Sequence, residues 1–271
     1  MKKKSVIRNP QSAIKKGYIE TSYGLIHYRA AGNAKNPSVL LLHQTASSSV
    51  MYEKIMNLLA DSYFLFAPDT LGFGGSDFPT ETANMKLYAD SLREATEAFG
   101  CKKPFAFGHH TGASIAVQME FDAPFARKII LSGAPYLTSE QKENFKKGIQ
   151  SIVIEKDGTH LLKLWQRLRA KDETADLQLT QREFLLNLRA GERYTEAYFA
   201  VFNHDFENQL AQIECPILVT AGDEDTLKDS LDAAFRVLKN GEMRRTIGNT
   251  YICDQSPETV AQIIREFFTD E

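Results

Sequence analysis

The stretch PFAFGHHTGASIAVQ, residues 104–118, places polar groups between two glycines in a way that could support catalysis. An apolar run comes first, then Gly108 and Gly112 enclose three polar residues, and a helix-like pattern follows. This order predicts a strand, a sharp turn and a helix. The central residue is His110, whose imidazole can take or give a proton near neutral pH. The sequence therefore makes His110 a candidate catalytic base.

Short apolar runs alternate with amphipathic helical patterns along most of the chain. The segment 17–32 is predicted to be a hairpin that turns at Tyr23 and Gly24. Nearly continuous apolar runs, typical of strands buried on both faces, occupy residues 38–43, 63–69, 104–108, 128–133 and 216–222. Helical patterns occupy residues 51–59, 88–99, 226–239 and 260–268 and begin again at Thr111. The alternation predicts an α/β fold, a mostly parallel sheet with helices on both faces.

The segment 138–205 breaks this alternation. It carries helical patterns and no convincing strand, except for the short SIVIE run at 151–155. A helical block inserted between two strands predicts a cap over the carboxyl edge of the sheet, where such sheets bind ligands. We therefore divide the chain into a basic N-terminal arm at 1–16, a core formed by 17–137 and 206–271, and a helical cap at 138–205.

Four segments in chain order carry a resemblance to a known family: LLLHQTASSSVMY, PDTLGFGGSD, GHHTGA and PILVTAGDEDTL. With them the chain resembles the α/β-hydrolase superfamily over nearly its full length, with both glycines of the G-x-S-x-G motif present. The resemblance implies an eight-stranded, mostly parallel sheet. It also implies that Asp225 is the catalytic acid, and that the amides of Thr111 and of Gln44 or Thr45 bind an oxyanion.

The chain departs from the pattern of that superfamily at three positions. His110 stands where relatives have serine, aspartate or sometimes cysteine, and Gln44 replaces the glycine of the usual His-Gly pair. Counting back from Pro257, the catalytic histidine is expected at position 250, which is threonine, and no histidine follows His204. A serine-type acyl-enzyme mechanism is therefore excluded at these positions.

Two functions from different classes remain open. In the first, His110 extends into the space of the missing histidine, is oriented by Asp225 and activates water. The bond cleaved would be an ester, a lactone or an activated carbon–carbon bond, and direct attack by the imidazole is a variant of this hypothesis. In the second, His110 is a degenerate position, and the protein binds or senses a small molecule without catalysis. The retained Asp225, with Asp223 as a fallback acid, favours the enzyme, whereas the missing histidine favours the binder.

Two further histidines lie next to the predicted pocket. His43 closes a predicted strand and is a further catalytic candidate, although the matching histidine in relatives usually orients the loop through hydrogen bonds. His109 is predicted to pack behind the turn. Imidazole and carboxylate also suit zinc, but no spacing such as H-x-x-x-H supports a site formed by His43, His110 and Asp225. We therefore predict neither a metal nor a cofactor.

The predicted cap is rich in bulky aromatic residues, namely Trp165, Phe184, Tyr194, Tyr198, Phe199 and Phe202. At helical spacing such residues mostly pack in a core, but some should line the roof of a largely apolar pocket. Trp165 and Tyr198 are the candidates for contact with a ligand. The expected ligand is a small hydrophobic or aromatic molecule.

The composition of the 271 residues, with 43% hydrophobic and 25% charged, is that of a soluble globular protein. A net charge of −3 gives no sign of a nucleic-acid surface. No apolar run has the length of a bilayer span or of a signal peptide. The cysteines, Cys101, Cys215 and Cys253, are scattered and odd in number, which suits reduced thiols in a cytoplasm, with Cys253 buried and inert. The oligomeric state stays open.

Overall fold

The computed structural model describes residues 14–269, in which eight strands form a single sheet. In chain order the strands are β1 (Lys15–Thr21), β2 (Gly24–Ala31), β3 (Ser38–Leu42), β4 (Phe64–Pro68), β5 (Phe105–His109), β6 (Ile129–Ser132), β7 (Ile217–Gly222) and β8 (Gly241–Thr246). Across the sheet they are arranged in the order β1-β2-β4-β3-β5-β6-β7-β8.

The sheet is antiparallel at one end and parallel elsewhere. Strand β2 is antiparallel to both β1 and β4, whereas every pair from β4 to β8 is parallel. The central strands β5, β6 and β7 are buried along their whole length, because helices cover both faces of the sheet. The predicted eight-stranded, mostly parallel sheet is therefore confirmed.

The helices follow the strands as the alternation predicts. They are α1 (Glu53–Leu59), α2 (Met85–Ala98), α3 (Thr111–Asp122), α4 (Ser139–Gly148), α5 (Thr159–Lys171), α6 (Leu177–Ala190), α7 (Glu196–Phe202), α8 (Phe206–Leu210), α9 (Leu231–Arg236), α10 (Ile252–Gln255) and α11 (Pro257–Phe267). Within residues 14–269, no helix combines the length and the apolar character that a membrane span requires.

Strand β3 shows how the sheet divides the core into two layers. Leu40 and Leu42 belong to one buried cluster, together with side chains of α2 and α3. Val39 and Leu41, which alternate with them, belong to a second buried cluster, together with side chains of α1 and α11. The alternation follows from the two-residue period of a strand.

The segment between β6 and β7 is helical. Helices α4 to α7 lie within it, and the SIVIE run at 151–155 forms no strand, so that part of the prediction was wrong. Val153 and Ile154 are 62% and 76% exposed, and of the three apolar residues in this run Ile152 alone packs into the core. Among the described residues, the run has no neighbouring strand with which to pair. The division of the chain into core and cap stays a prediction.

The N-terminal hairpin differs in detail from the prediction. Thr21 pairs with Gly24, so the turn residues are Ser22 and Tyr23 rather than Tyr23 and Gly24. Strand β1 also takes in the last two residues of the predicted basic arm. Residues 1–13 of that arm lie outside the described residues.

The segment after β7 is less helical than predicted. In place of one helix at 226–239, a 3-10 turn at Lys228–Ser230 leads into the short helix α9. Strand β8 follows and is hydrogen-bonded to β7 at the edge of the sheet. Half of its sequence, GEMRRT, is charged, and none of its residues is buried, so the strand lacks the apolar signal of the central strands.

The parallel strands end at one edge of the sheet, and the candidate residues lie directly beyond them. His43 follows β3, His110 follows β5, Gly133 follows β6, and Asp225 lies in the turn after β7. This edge of an open α/β sheet is where ligands bind.

Candidate active site

His110 occupies the turn between β5 and α3, where the main chain has an unusual conformation. Its φ is +49°, a value that residues other than glycine seldom adopt. The flanking glycines are required by close packing. A Cβ on Gly108 would lie 2.3 Å from the carbonyl oxygen of Gly112, and one on Gly112 would lie 2.0 Å from that of Leu42. Such strained residues cluster at functional sites.

The imidazole of His110 contacts the carboxylate of Asp225. Nε2 of His110 lies 2.9 Å from Oδ2 and 3.1 Å from Oδ1 of Asp225. Burial raises the pKa of Asp225, but the charge and hydrogen bond of His110 and the amide of Leu227 outweigh it, so the pKa lies well below its ordinary value. The carboxylate is an acceptor, and Nε2–H of His110 therefore donates to it. The fallback acid, Asp223, instead accepts a hydrogen bond from the amide of Gly248.

The second ring nitrogen of His110 is an acceptor that faces the cavity. When Nε2 carries the proton of the neutral ring, Nδ1 has a lone pair. Nδ1 has no hydrogen-bond partner within residues 14–269, and it is not one of their fully buried polar atoms. His110 is also one of the residues that line the cavity. The contact with Asp225 thus leaves the second ring nitrogen without a partner in a residue that lines the cavity.

Gly133 leaves the space that the His110 ring occupies. A Cβ at this position would lie 2.4 Å from Cδ2 and 2.5 Å from Nε2 of His110. It would also lie 3.3 Å from Oδ2 of Asp225. The φ of Gly133 is +59°, which favours glycine independently of the space around it.

A cavity of about 170 Å³ lies between this edge of the sheet and helices α4 to α7. Its apolar lining includes Ala46, Pro135, Leu137, Leu168, Val201 and Phe202. A dry, apolar protein cavity of ~150 Å³ holds benzene. The cavity therefore suits a ligand about the size of one substituted aromatic ring.

Four of the residues predicted to bind a ligand or an oxyanion line this cavity: Gln44, Thr45, Thr111 and Tyr198. The hydroxyl of Thr45 donates to Oγ1 of Thr111 at 2.9 Å, and that of Tyr198 donates to the carbonyl of Thr45 at 3.2 Å. Thr111 is the first residue of α3, so its amide has no carbonyl partner within the helix. The positive end of the helix dipole also favours a negative oxygen there.

His43, a catalytic candidate from the sequence, is not among the residues that line the cavity. Its Nδ1–H donates to the carbonyl of Gln44 at 2.8 Å, and its Nε2 accepts from the amide of Thr70 at 2.9 Å. Burial lowers the pKa of His43. Because both ring nitrogens bind main-chain groups, neither is available for a reaction, and the side chain orients the loop.

Trp165, predicted as a ligand contact, is also not among the residues that line the cavity. Its ring packs edge-on against Phe184, with 5.8 Å between the ring centroids. The buried face of α5 is instead formed by Leu164 and Leu168, one turn apart, and Leu168 lines the cavity. Trp165 lies beside that face rather than on it.

Of the other aromatic residues in this helical segment, some line the cavity and others pack against neighbouring side chains or face outward. Phe202 lies one turn after Tyr198 on α7, and both line the cavity. Tyr194 packs against Tyr198, with 5.3 Å between the ring centroids. Phe199 lies on the outer side of α7 and is 40% exposed.

His109 is buried behind the turn and connects it to the end of strand β6 and to the loop that contains Thr250. Its Nε2–H donates to the carbonyl of Thr250 at 2.9 Å, and its Nδ1 accepts from the hydroxyl of Ser132 at 3.0 Å. Burial, together with the charge of His110, lowers the pKa of His109 to about 4. Thr250, where the family pattern has a histidine, is therefore bound through its main chain to the residue before His110.

We expect the stability of the protein to fall between pH 7 and pH 5 because of His109. The native pKa is about 4 against an ordinary value of 6.5, so between these values only the unfolded chain binds the proton. The free energy of unfolding should therefore drop by ~2 kcal/mol between pH 7 and pH 5. Urea denaturation of the wild type and of His109→Gln at both pH values measures this contribution. An equal drop in the two proteins would contradict the assignment.

His109, His110 and Asp225 have ligand-type atoms within 4.8 Å of one another, which raises the question of a metal. A metal ion would need a nitrogen of His109, and both nitrogens of that ring are engaged in hydrogen bonds. The zinc site of His43, His110 and Asp225 that was considered from the sequence does not form within the described residues either, because His43 binds main-chain groups. The arrangement suits a hydrogen-bonded base and acid better than a metal centre.

The polar residues of the cavity wall that were not predicted from the sequence include Glu183, Asn187 and Tyr251. Glu183 and Asn187 are four residues apart on α6 and therefore share a helix face. That spacing is also typical of a solvated face, so it does not by itself indicate a cavity. Tyr251 follows the position of the missing histidine.

Comparison with known proteins agrees with this architecture. A family model described as alpha/beta hydrolase fold matches residues 37–234. A hydrolase from Pseudomonas aeruginosa PA01 has a similar structure, with a TM-score of 0.79 and 18% identity, covering 94% of this chain and 98% of that one. The likeness of the structures extends over nearly the whole chain.

The similarity to curated sequences is more limited. An uncharacterised protein of Mycobacterium tuberculosis is 27% identical over 138 residues, which are 51% of this chain and 39% of that protein. The chain thus matches less than half of that relative. A proline iminopeptidase of Heyndrickxia coagulans is 24% identical over 241 residues, 76% of this chain and 81% of that protein. Because the family model covers well over half of the sequence, the chain belongs to the α/β-hydrolase fold family.

Proposed function

We propose that the protein is a hydrolase that uses His110 as a general base on water. The observation that carries this proposal is the pairing of His110 with Asp225, 2.9 Å apart, which leaves Nδ1 directed at the cavity. A positioned imidazole with a free lone pair is the group most often used for this task. The carboxylate orients the ring and stabilises the imidazolium that forms, as the acid of a catalytic triad does.

The proposed reaction begins with a water molecule hydrogen-bonded to Nδ1 of His110. Nδ1 takes a proton from the water while the oxygen of that water forms a bond to the carbonyl carbon of the substrate. The carbonyl oxygen becomes an oxyanion beside the amide of Thr111, at the N-terminus of α3. The bond to the leaving oxygen then breaks, and the imidazolium returns its proton to that oxygen.

The cavity supports a small, largely apolar substrate. Its volume of about 170 Å³ and its apolar lining suit a compact aromatic or aliphatic ester or lactone. An activated carbon–carbon bond beside a carbonyl, as in a β-diketone, is cleaved by the same steps with a carbanion as the leaving group.

A non-catalytic binder or sensor is the second candidate function. Thr250 occupies the position of the family histidine, and its carbonyl is bound by His109. This replacement removes the second catalytic position of the family while the cavity is kept. A protein that only binds a small molecule needs the cavity but not the catalytic histidine.

A substrate panel separates the two functions. Phenyl acetates, small lactones and β-diketones with one aromatic ring are to be incubated with the protein, and product formation is to be followed by chromatography. We expect turnover of at least one compound. If none is turned over while one raises the melting temperature, the binder is correct and the hydrolase is not.

We also expect that a fluorophosphonate probe leaves residues 108–112 unlabelled, because the turn holds no serine. His110→Ser should remain a poor esterase, because position 250 is threonine and gives the new hydroxyl no histidine base. Mass spectrometry of the peptides, with a serine esterase labelled in parallel, makes the measurement. Strong labelling of either protein at this turn would contradict the proposed arrangement.

A further inference from the structure

The wall of the cavity opposite the sheet carries two buried hydrogen-bond acceptors that the proposed reaction does not use. Glu183 and Asn187 lie one turn apart on α6 and both line the cavity. Each is only 3% exposed, so neither is an ordinary surface side chain. Buried polar groups of this kind normally have a partner.

The carboxylate of Glu183 uses only one of its oxygens within the protein. Oε1 accepts from the hydroxyl of Ser47 at 3.1 Å and from Nε and Nη2 of Arg182 at 3.0 and 2.7 Å. Oε2 has no hydrogen-bond partner in the described part of the chain and is not fully buried there. A carboxylate oxygen is thus open to the cavity.

The charge around Glu183 is not balanced. Arg182 also binds both oxygens of Asp254, at 2.7 and 2.6 Å, so one guanidinium is shared by two carboxylates. Lys171 lies at the same cavity, and Nζ of Lys54 donates to the main-chain carbonyl of Asp254 at 2.7 Å, but both side chains are exposed, and solvent therefore screens their charge. The network keeps an excess negative charge next to the free oxygen of Glu183.

Asn187 contributes a second acceptor with a fixed orientation. Its Nδ2 donates to the carbonyl of Glu183 at 2.7 Å. Because a carbonyl oxygen can only accept, the amide nitrogen must be on that side and Oδ1 on the other. Oδ1 has no partner among residues 14–269 and is not fully buried, and Asn187 lines the cavity.

We propose that Glu183 and Asn187 form a subsite that binds an ammonium group of the ligand. Oε2 of Glu183 and Oδ1 of Asn187 accept from the donor, and the excess negative charge favours a cation over a neutral hydroxyl. The ligand is then a compact apolar molecule with an amine at the end that faces α6. The assignment rests on the proposed function, which places the reacting group at the other end of the ligand. Binding of the ammonium group itself does not depend on catalysis.

Three probes of one ring and nearly equal size test the subsite: benzylammonium, benzyl alcohol and ethylbenzene. Their Kd values for the wild type and for Glu183→Gln are to be measured by NMR titration at pH 7. The substitution keeps the shape and leaves Arg182 paired with Asp254, but it can replace the free oxygen by an amide donor. We expect Kd for benzylammonium to rise at least about tenfold, as for loss of a charge-assisted hydrogen bond. Kd for ethylbenzene should change less than about twofold, because it makes no such bond.

The outcomes that would overturn the proposal are distinct. No change for benzylammonium, or an equal change for ethylbenzene, shows that the subsite does not recognise an amine. A loss for benzyl alcohol as large as that for benzylammonium assigns the subsite to neutral donors instead of a cation. If Glu183→Gln does not fold, Asn187→Ala decides the matter by the same comparison. Failure of the substrate panel leaves these Kd values unaffected, so the two proposals fail separately.

Discussion

Replacing His110 by alanine is expected to lower kcat at least about 100-fold on any substrate that the wild type hydrolyses, the lower end for loss of a general base. The substitution removes the only ring that both contacts Asp225 and lines the cavity within the described residues. Alanine at this position keeps the strained φ of +49°, so the substitution does not relieve the backbone strain. The measurement is steady-state kinetics with an ester or a lactone found in the panel.

His204→Ala is the matched control for this substitution. His204 is also buried and bonded to a neighbouring side chain, Gln209, but it does not line the cavity. Its removal should destabilise the protein while kcat changes by less than about twofold, because it makes no contact with the reacting groups. If His110→Ala turns over the substrate at the wild-type rate, the base is another group.

The architecture could be predicted where the chain buries its strands on both faces. The apolar runs at 38–43, 104–108, 128–133 and 216–222 are central strands of the sheet, and their apolar character is set by that burial. Strand β8 could not be located in this way, because an edge strand pairs on one side only and can carry charged residues. The SIVIE run shows the reverse case, in which β-branched residues find no partner strand.

The site could be predicted where main-chain geometry requires a residue type. Gly108 and Gly112 are required by contacts shorter than a Cβ allows, and such glycines mark the turn in the sequence. Asp225 follows an identifiable strand, so its position at the sheet edge was also predictable. The meeting of His110 with Asp225 depends in addition on Gly133, which sits in a different loop.

The helical segment was predicted less well, because helix periodicity does not say which face meets a ligand. Trp165 and Leu168 differ by less than one turn, yet only Leu168 lines the cavity. Glu183 is a charged residue, a type that is seldom buried without a partner, and its burial depends on Arg182 and Ser47. That partnership joins separate parts of the chain and becomes visible only in the folded structure.

The imidazole of this site comes from the turn after β5 rather than from the loop before the last helix. The ring at position 110 contacts the carboxylate of Asp225 directly, and threonine stands at position 250, where the family resemblance implies a histidine. In the proposed mechanism, one residue combines the position of the usual nucleophile with the chemistry of the usual base. That mechanism requires that nothing stands between His110 and Asp225, and Gly133 leaves this space free.

Gly133→Ala is therefore expected to lower kcat about 100-fold, the effect of misplacing a reacting group by ~1 Å. The new Cβ would lie 2.4 Å from Cδ2 of His110, so the ring must swing away from Asp225. The substitution also adds backbone strain at φ +59°. Gly191→Ala is the control for that strain, because Gly191 has φ +61° and nothing within 4 Å of its Cβ position. Gly191→Ala should lose a similar free energy of unfolding and keep the kcat of the wild type.

Nitrogen NMR of the histidine rings gives a readout of Gly133→Ala that does not need a substrate. In the wild type we expect one protonated nitrogen on His110, Nε2, held by its hydrogen bond to Asp225. In Gly133→Ala that preference should be lost, because the ring no longer reaches the carboxylate, whereas Gly191→Ala should retain it. Equal spectra for all three proteins, with an unchanged kcat, would show that the ring tolerates the extra methyl group. In that case Gly133 is needed for the backbone alone and does not position the base.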